Sequence, residues 1–191
     1  MDLLDRLSDL LGPAQVLRGA EALACGREWT GHYTWEPLAV VRPGSTEEVA
    51  AVLRLAHQTG TPVVPVGGNT GLNGGTAAPG ALMLSLARMR RIRDLNPAAR
   101  TVVAEAGVVL ETLHDLAAEQ GLAFPLSFGA KGSAMVGGFL STNAGGSNVV
   151  RYGSARALCL GLEVVLADGR IWHGLTGLHK DNTGYDLRDL I

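Results

Sequence analysis

Glycine clusters constrain this chain more than any other feature of its sequence. Glycine accounts for 26 of the 191 residues, about twice the usual share of roughly 7%. The excess is concentrated in VGGNTGLNGG (66–75), FGAKGSAMVGG (128–138) and TNAGG (142–146). Periodic apolar segments between these stretches predict ordinary helices and strands. Clustered glycine inside such a fold indicates backbone that lies close to a ligand.

The composition and charge of the chain exclude several classes of protein. Apolar residues make up 47% of the sequence, which is ample for a packed core. The formal net charge is −2, and the arginine cluster between Arg88 and Arg93 is predicted to be a solvated surface segment. We therefore expect no nucleic-acid partner and no membrane patch.

The ends, cysteines and histidines of the chain predict a reduced cytoplasmic protein without metal ligands. The start MDLLDRLSDLLGP lacks the pattern of a secretory signal, and no stretch approaches the roughly 18 apolar residues of a membrane span. The two cysteines form no CxxC pair or disulfide framework. His57 and His114, in predicted amphipathic helices, are interpreted as surface or interfacial and not catalytic, and His173 and His179 lack the carboxylate spacing of a metal site. These residues are Cys25, Cys159, His57, His114, His173 and His179.

The first half of the chain predicts a parallel crossover unit. Leucines at helical spacing predict a helix over 1–12, and LAVVRPGS predicts a strand that leads into a turn. Ser45 and Glu48 form a capping box for a helix over 46–59, which Gly60 ends. The apolar run PVVPV (62–66) follows as a strand, so the order strand, helix, strand implies parallel pairing.

The second half predicts antiparallel pairing. Strands are expected at 81–86 and 101–107, a helix at 109–120, and a hairpin with an Asp168-Gly169 turn. Together the halves predict an α+β arrangement of two packed subdomains. The last residues enter a helix near Asp186 without a terminating signal, so we expect a fragment of a longer chain; a frayed helix on a complete domain is the alternative.

The first glycine cluster leaves the end of a predicted buried strand. Its successive backbone N–H groups could converge on phosphate oxygens, because no Cβ atom blocks the approach. The spacing matches neither GxGxxG nor a Walker loop. From the residues alone, a phosphate site and an ordinary glycine-rich turn remain equal alternatives.

The second cluster places Gly137 and Gly138 in a predicted helix interior, where each costs about 1 kcal/mol relative to Ala. Either the close packing of another backbone or a flat ring system on this face could compensate. The sequence does not separate these two interpretations.

Taken in order, these stretches resemble the FAD-binding, PCMH-type domain of the vanillyl-alcohol oxidase and p-cresol methylhydroxylase superfamily. The matching segments are PVGGNTGLNGG, GAKGSAMVGGFLSTNAGGSNVVRYGS, LGLEVVLADG and KDNTGYDL. They are most similar to the FAD-linked oxidase branch of D-2-hydroxyglutarate dehydrogenases, D-lactate dehydrogenases and the glycolate oxidase flavin subunit.

The resemblance implies an α+β fold of two α/β subdomains with FAD between them. The first, about 35–93, would be mainly parallel, and the second, about 94–191, mainly antiparallel. Residues 1–34 would form a helical lead-in. A C-terminal substrate domain, or a partner subunit in its place, would be missing from these residues.

The resemblance also implies which residues hold the cofactor. The FAD pyrophosphate would be cradled by Gly67, Gly68, Asn69, Thr70 and Gly71, with Leu72 close by. The ribityl and isoalloxazine region would be lined by Pro125, Gly132, Ser133, Val136, Gly137, Gly138, Asn143, Ala144 and Gly145. Pro43 would lie near the adenosine half, and Val164 would contact the adenine through its main chain.

The sequence departs from relatives that attach the flavin covalently. Those members carry His at the position of Asn69, and some add Cys near 131–133; this chain has neither. The resemblance therefore implies non-covalent FAD.

The function implied is oxidation of a D-2-hydroxy acid of the D-lactate, glycolate or D-2-hydroxyglutarate type. A separate acceptor would take the electrons, and the cofactor would supply the redox chemistry. The alternatives are a flavin-binding module without catalysis and a related oxidoreductase with another alcohol substrate. No catalytic residue is assigned.

Several further residues have simpler interpretations. Trp29, Tyr33 and Trp35 are expected to be core or subdomain-packing aromatics more than a ring-stacking platform. Lys180, Asn182 and Tyr185 could face the flavin or belong to a polar loop that closes the subdomain.

Overall fold

The structure is a computed structural model that describes residues 2–191. Its larger sheet is built from the first half of the chain. Its strands lie in the order β1-β2-β4-β3; β2, β3 and β4 are parallel, and β1 is antiparallel to β2. The predicted crossover is confirmed, with β4 inserted between the two strands that the helix connects. The bounds are β1 Val16–Leu17, β2 Ala39–Val41, β3 Val63–Val66 and β4 Leu82–Ser85.

Three helices accompany this sheet: α1 Leu3–Leu11, α2 Gly19–Cys25 and α3 Thr46–Thr59. The Ser45 side chain accepts the N–H of Glu48 at 3.1 Å, which confirms the predicted N-cap. The reciprocal bond of a capping box is displaced, because Glu48 Oε2 accepts the N–H of Gly44 at 2.7 Å. Gly60 ends α3 in a left-handed conformation, with φ of 65°.

The second half forms two antiparallel hairpins and four short helices. The strands pair as β5 with β6 and β7 with β8. This confirms the predicted mixed α+β architecture. The bounds are β5 Ile92–Asn96, β6 Thr101–Ala104, β7 Leu162–Val165, β8 Ile171–Gly174, α4 Leu110–Glu119, α5 Val136–Ser141, α6 Val149–Tyr152 and α7 Leu187–Leu190.

Three clusters of buried apolar residues form the core, and two of them are larger than the third. Leu7 from α1, Val41 from β2 and Leu82 from β4 are fully buried in the first core. Leu110 from α4 and Phe139 from α5 belong to the second core. Each core removes large apolar side chains from water, which is the main stabilising contribution to such a fold.

The arginine cluster is exposed, as the sequence predicts, but two of its residues also pair with a buried carboxylate. Arg91 and Arg93 both pair with the fully buried side chain of Glu105, at 2.9 and 3.3 Å. The N–H of Arg91 also donates to Glu105 Oε2 at 2.8 Å. Burial would raise the pKa of Glu105, but these charged and main-chain donors outweigh it and lower the pKa. Arg91 and Arg93 of the arginine cluster are therefore the partners of a buried carboxylate.

The same network connects the two halves of the chain. Arg93 pairs with Glu163 of β7 at 2.9 Å, and Thr46 at the start of α3 donates to Glu163 Oε1 at 2.6 Å. The β7–β8 turn packs on α3, since a Cβ atom on Gly169 would lie 2.6 Å from the Ala50 carbonyl oxygen. The predicted subdomain boundary near residue 93 stays a prediction, and these contacts cross it.

None of the helices within residues 2–191 combines the length and apolar character needed to cross a membrane.

Glu105→Gln should destabilise the protein in a pH-dependent way. Because folding lowers the pKa of Glu105, the ionised carboxylate stabilises the fold above its unfolded pKa, and that contribution disappears as the pH falls through the folded value. Urea unfolding at pH 7 should show a loss of about 1–3 kcal/mol.

The difference between Glu105→Gln and wild type should shrink as the pH is lowered below about 4. Glu119→Gln, an exposed change at the end of α4, is the control and should alter the free energy of unfolding by less than about 0.5 kcal/mol. A pH-independent difference would contradict the role assigned to the buried charge.

Candidate cofactor site

The first two glycine clusters pack directly against each other. A Cβ atom on Gly67 would lie 3.4 Å from Met135 Cβ and 3.8 Å from Gly138 Cα. A Cβ atom on Gly68 would overlap the carbonyl oxygen of Ser133. The two clusters, far apart in sequence, therefore form one backbone-to-backbone contact that has little room for side chains.

The contact lies at the carboxyl edge of the parallel strands. Gly67 follows β3 directly, Pro43 follows β2 by one residue, and Leu86 after β4 donates its N–H to the Val66 oxygen at 3.2 Å. In parallel sheets this edge is where ligands bind. Among the residues that the structure describes, no protein acceptor receives the N–H groups of 67–71, so they can bind an anion.

Asn69 shapes the first glycine loop. Its φ of 52° is left-handed, a conformation that Asn tolerates better than most residues. Its Nδ2 donates to the Arg27 oxygen at 2.9 Å, and its Oδ1 accepts from Thr76 Oγ1 at 2.7 Å. Both ends of the amide are therefore used in the protein's own loop structure.

Helix α4 holds the second cluster in place. The N–H of Leu110 donates to the Ala134 oxygen at 2.9 Å, and that of Glu111 donates to the Lys131 oxygen at 3.1 Å. Lys131 Nζ also pairs with Glu111 Oε1 at 3.2 Å. Two otherwise unpaired N–H groups of the helix start thus fix the loop that contains Gly132.

Gly137 and Gly138 occupy the first turn of α5, so the predicted helix-interior location is wrong. The sequence left two explanations for these glycines, close packing of another backbone and a flat ring system on this face, and the two residues differ in which one fits. Gly137 packs on another backbone: its N–H donates to the Ala106 oxygen at 2.8 Å, and an added Cβ would lie 3.0 Å from Ala106 Cβ. An added Cβ on Gly138 would meet no described atom within 4 Å. Gly138 therefore presents open backbone that a ligand could cover.

The third cluster joins the segment that contains Pro125. Asn148 Nδ2 donates to the Pro125 oxygen at 2.9 Å, and a Cβ on Gly146 would overlap the Ser127 oxygen. Asn143 has a left-handed φ of 48°, and its Oδ1 accepts the N–H of Arg156 at 3.1 Å. Since α5 runs from the second cluster into the third, all three lie on one continuous surface.

His114 supports this region from α4. Its Nε2 lies 2.7 Å from the Leu126 oxygen, beside Pro125. His114 is partly buried at this contact, and the prediction that it is surface or interfacial and not catalytic stays a prediction. His57 is exposed, and His173 is exposed with its Nδ1 3.4 Å from Glu163 Oε2.

The remaining predicted residues lie at the edges of this surface. Pro43 is fully buried, so only its main chain could approach an adenosine. Val164 lies in β7 opposite Trp172, and the Thr46–Glu163 hydrogen bond brings β7 beside the segment after Pro43. Leu72 is exposed beside the first cluster. The roles of these residues in binding stay predictions.

A dinucleotide fits this arrangement of residues. An added Cβ would meet only Asn73 Oδ1, at 3.9 Å, on Gly71 and no described atom within 4 Å on Gly138, so the chain's own packing does not require glycine at either position. Gly68 and Gly146, in contrast, are required by contacts within the chain. Free N–H groups on one loop and an uncovered glycine face on the next suit a pyrophosphate joined to a flat ring system.

Sequence reasoning misses Glu28, whose side chain folds a loop beside the first cluster. The carboxylate accepts main-chain N–H groups of Thr30, His32 and Tyr33 and the Thr30 hydroxyl. Burial would raise the pKa of Glu28, but these hydrogen bonds prevail and lower it to about 2. A carboxylate two residues before Thr-Gly, in EWTG, is the local signal that could have found it.

The aromatic residues near this loop differ in burial. Trp35 is 5% exposed, as a core residue should be, whereas Trp29 is 78% exposed, so the prediction of a packing role is wrong for Trp29. Tyr33 is partly exposed and lies against Gly74 of the first cluster. Far from these, Lys180, Asn182 and Tyr185 are all exposed.

Within residues 2–191, no three His, Cys, Asp or Glu side chains are grouped so that they could hold a metal ion.

Comparison with known protein families finds a match over most of the chain. The model described as "FAD binding domain" matches residues 37–174. These residues include all three glycine clusters and the β7–β8 hairpin.

Relatives of known name share close to half of the residues. A D-2-hydroxyglutarate dehydrogenase of Xanthomonas citri pv. viticola is 47% identical over 167 residues, 87% of this chain and 35% of that protein. The mitochondrial D-2-hydroxyglutarate dehydrogenase of Bos taurus is 44% identical over 180 residues, 93% of this chain and 33% of that protein. The chain thus spans about a third of the length of these relatives.

The fold also matches a solved structure. p-Cresol methylhydroxylase with substrate bound superimposes with a TM-score of 0.76 at 26% identity, covering 95% of this chain and 36% of that one. This confirms the predicted PCMH-type fold.

Gly71→Val and Gly68→Ala should separate ligand binding from folding. A side chain at Gly71 would meet only Asn73 Oδ1, at 3.9 Å, so the unfolding temperature without ligand should stay near wild type. The Kd for FAD, measured by flavin fluorescence, should nevertheless rise at least about tenfold, because the side chain would obstruct the anion.

Gly68→Ala should act on stability first, since even a methyl group would overlap the Ser133 oxygen; overpacking of this kind costs about 1–3 kcal/mol. If Gly71→Val bound FAD as tightly as wild type, the assignment of the first cluster to phosphate binding would be wrong.

Proposed function

This chain belongs to the FAD binding domain family, and we propose that it is the cofactor-binding part of a dehydrogenase that oxidises a D-2-hydroxy acid. The observation that supports this most strongly is the meeting of the glycine clusters, which leaves the N–H groups of 67–71 free beside the open face of Gly138. The names of the relatives favour D-2-hydroxyglutarate as the substrate type.

The proposed binding mode uses all three clusters. Residues 67–71 would hold the pyrophosphate, Gly138 and 143–145 would hold the isoalloxazine and ribityl chain, and Pro43 and Val164 would be on the adenosine side. The chemistry that bound FAD would supply is the acceptance of a hydride from the substrate α-carbon.

This chain's own residues orient the cofactor and exclude water from one of its faces. The packing of Gly68 on Ser133 fixes the distance between the two loops, and the contact of Gly137 with Ala106 fixes the open glycine face. Such rigid backbone surfaces hold a reacting group without reorganisation, which is the main contribution of a protein to cofactor chemistry.

We propose that the groups that bind the substrate carboxylate and take the hydroxyl proton come from outside these residues. The chain spans about a third of the length of its relatives, and none of its recognised motifs supplies both an Arg and a base for a substrate. A separate electron acceptor, a cytoplasmic location and the choice among D-2-hydroxyglutarate, D-lactate and glycolate stay predictions.

Bound FAD should be released by acid. Asn69 uses both polar atoms of its amide within the chain and has no nucleophilic nitrogen to bond the flavin. After precipitation with trichloroacetic acid, the yellow colour should stay in the supernatant; a coloured pellet would show covalent attachment.

The 191-residue chain loaded with FAD should not oxidise substrate by itself. Hydride transfer requires the α-carbon to be held about 3–3.5 Å from the flavin, and an uncovered flavin face cannot provide this. Anaerobic addition of D-2-hydroxyglutarate should leave the flavin absorbance of the chain unchanged. A version that includes the further length seen in the relatives should lose that absorbance within one turnover. Rapid loss of flavin absorbance in the 191-residue chain would refute the proposal that the substrate-binding groups come from outside these residues.

A further inference from the structure

We propose that the loop from Arg27 to Trp35, folded around the Glu28 carboxylate, holds the first glycine cluster in its FAD-binding conformation. Glu28 would be a positioning residue that acts through the shape of the 66–76 loop, and the Asn69 side chain would connect the two loops. The inference rests on the proposed function for the identity of the ligand. The contacts between the Arg27–Trp35 loop and the 66–76 loop, however, are a property of the protein alone.

The Arg27–Trp35 loop has a buried carboxylate at its centre. Glu28 is 2% exposed and accepts hydrogen bonds from Thr30 N–H at 2.6 Å, His32 N–H at 2.8 Å and Tyr33 N–H at 3.2 Å, together with the Thr30 hydroxyl. The N–H of Glu28 donates in turn to the Tyr33 oxygen at 3.2 Å. One side chain therefore sets the path of the five residues that follow it.

This loop meets the first glycine cluster at two places. The Arg27 oxygen accepts from Asn69 Nδ2 at 2.9 Å, at the residue with left-handed φ. The Tyr33 ring covers Gly74, where its atoms would lie 3.1–3.2 Å from an added Cβ. The Thr76 hydroxyl then closes the cluster onto Asn69 Oδ1. These contacts restrain the first glycine cluster at Asn69 and at Gly74.

The base of the loop is anchored in the core. Trp35 is buried beneath the parallel sheet with Val40 and Met83, and its N–H donates to the Gly26 oxygen at 2.8 Å. A Cβ on Gly26 would overlap the Trp35 oxygen, so the two ends of the loop are in direct contact. Movement of the loop relative to the sheet is thereby limited.

A restrained glycine loop binds more tightly than a free one. Glycine loses more conformational freedom on ordering than other residues, and a loop already ordered before binding avoids that cost. We therefore expect Glu28 to determine affinity for FAD through the order of the glycine loop.

The test compares Glu28→Gln, Asn69→Gly and the double variant with wild type. Asn69→Gly keeps the left-handed backbone accessible and removes the two side-chain bonds, but it also adds backbone freedom at residue 69, so Glu28→Gln carries the exchange test. Asp168→Asn is the matched control, because Asp168 also accepts the N–H of the residue two positions later, at 3.0 Å, in a turn away from the glycine clusters. Thr30→Val, which removes one donor to Glu28, replaces Glu28→Gln if that variant does not fold.

Two measurements are made on each protein: the Kd for FAD, and amide hydrogen exchange of residues 67–76 without FAD. Each single variant should raise the Kd at least about tenfold and speed exchange in 67–76, while Asp168→Asn changes neither. The double variant should bind FAD no more weakly than the single variant with the higher Kd, because both changes release the same loop.

Two results would overturn the proposal: unchanged exchange in 67–76, or losses of affinity that multiply in the double variant. The exchange measurement needs no ligand. A wild-type chain that fails to bind FAD would therefore contradict the proposed function. Faster exchange in the variants would still support the proposal that the Arg27–Trp35 loop orders the 66–76 loop.

Discussion

The contact between Gly67–Gly68 and Ser133–Gly138 sets the relative position of the two loops that form the candidate site. The first partner leaves the carboxyl edge of a parallel sheet, and the second is held by the start of α4 and runs into α5. Backbones can approach this closely only where Cβ atoms are absent. The position of each loop thus determines where the other can lie, and a surface with free N–H groups and open glycine results.

The glycines divide into two groups with different physical reasons. Those at 68, 137 and 146 leave room for the chain's own backbone or side chains, and an added Cβ at 71 or 138 would make no close contact with the chain. The first group maintains the fold, and the second leaves room for a ligand. This division explains why a sequence so rich in glycine forms an ordered domain: many of its small residues are needed for packing.

Electrostatic contacts connect the halves away from the glycine interface. Glu105 is fully buried between two arginines, and one of them, Arg93, reaches Glu163 and the start of α3. A buried carboxylate without such partners would be strongly unfavourable. The network therefore requires β5, β6, β7 and α3 to assemble together.

Much of the fold followed from periodicity and turn residues. The strands at 62–66 and 81–86, the helix over 46–59 and the Asp168-Gly169 hairpin are present nearly at the predicted bounds. Strand β5 was missed because its sequence, IRDLN, is mostly polar and is a strand only through pairing with β6. Glu105 and Glu28 were missed for a related reason: burial of an acid depends on partners that approach in three dimensions.

The site was predictable as a set of glycines but not as a geometry. Sequence could not say that Gly68 serves chain packing while Gly138 stays open, since the difference lies in atoms more than 60 residues away along the chain. Likewise, the left-handed backbone of Asn69 and its bond to Arg27 appear only in the folded loop.

The most direct test of the central claim is displacement of bound FAD by ADP, AMP and FMN, followed by flavin fluorescence or, for FMN, by equilibrium dialysis. If the N–H groups of 67–71 bind a pyrophosphate, ADP should compete at least about tenfold better than AMP, because only ADP supplies both phosphates. FMN, which has a single phosphate, should bind at least about tenfold more weakly than FAD. Equal competition by ADP and AMP, together with equal affinity for FMN and FAD, would contradict the account.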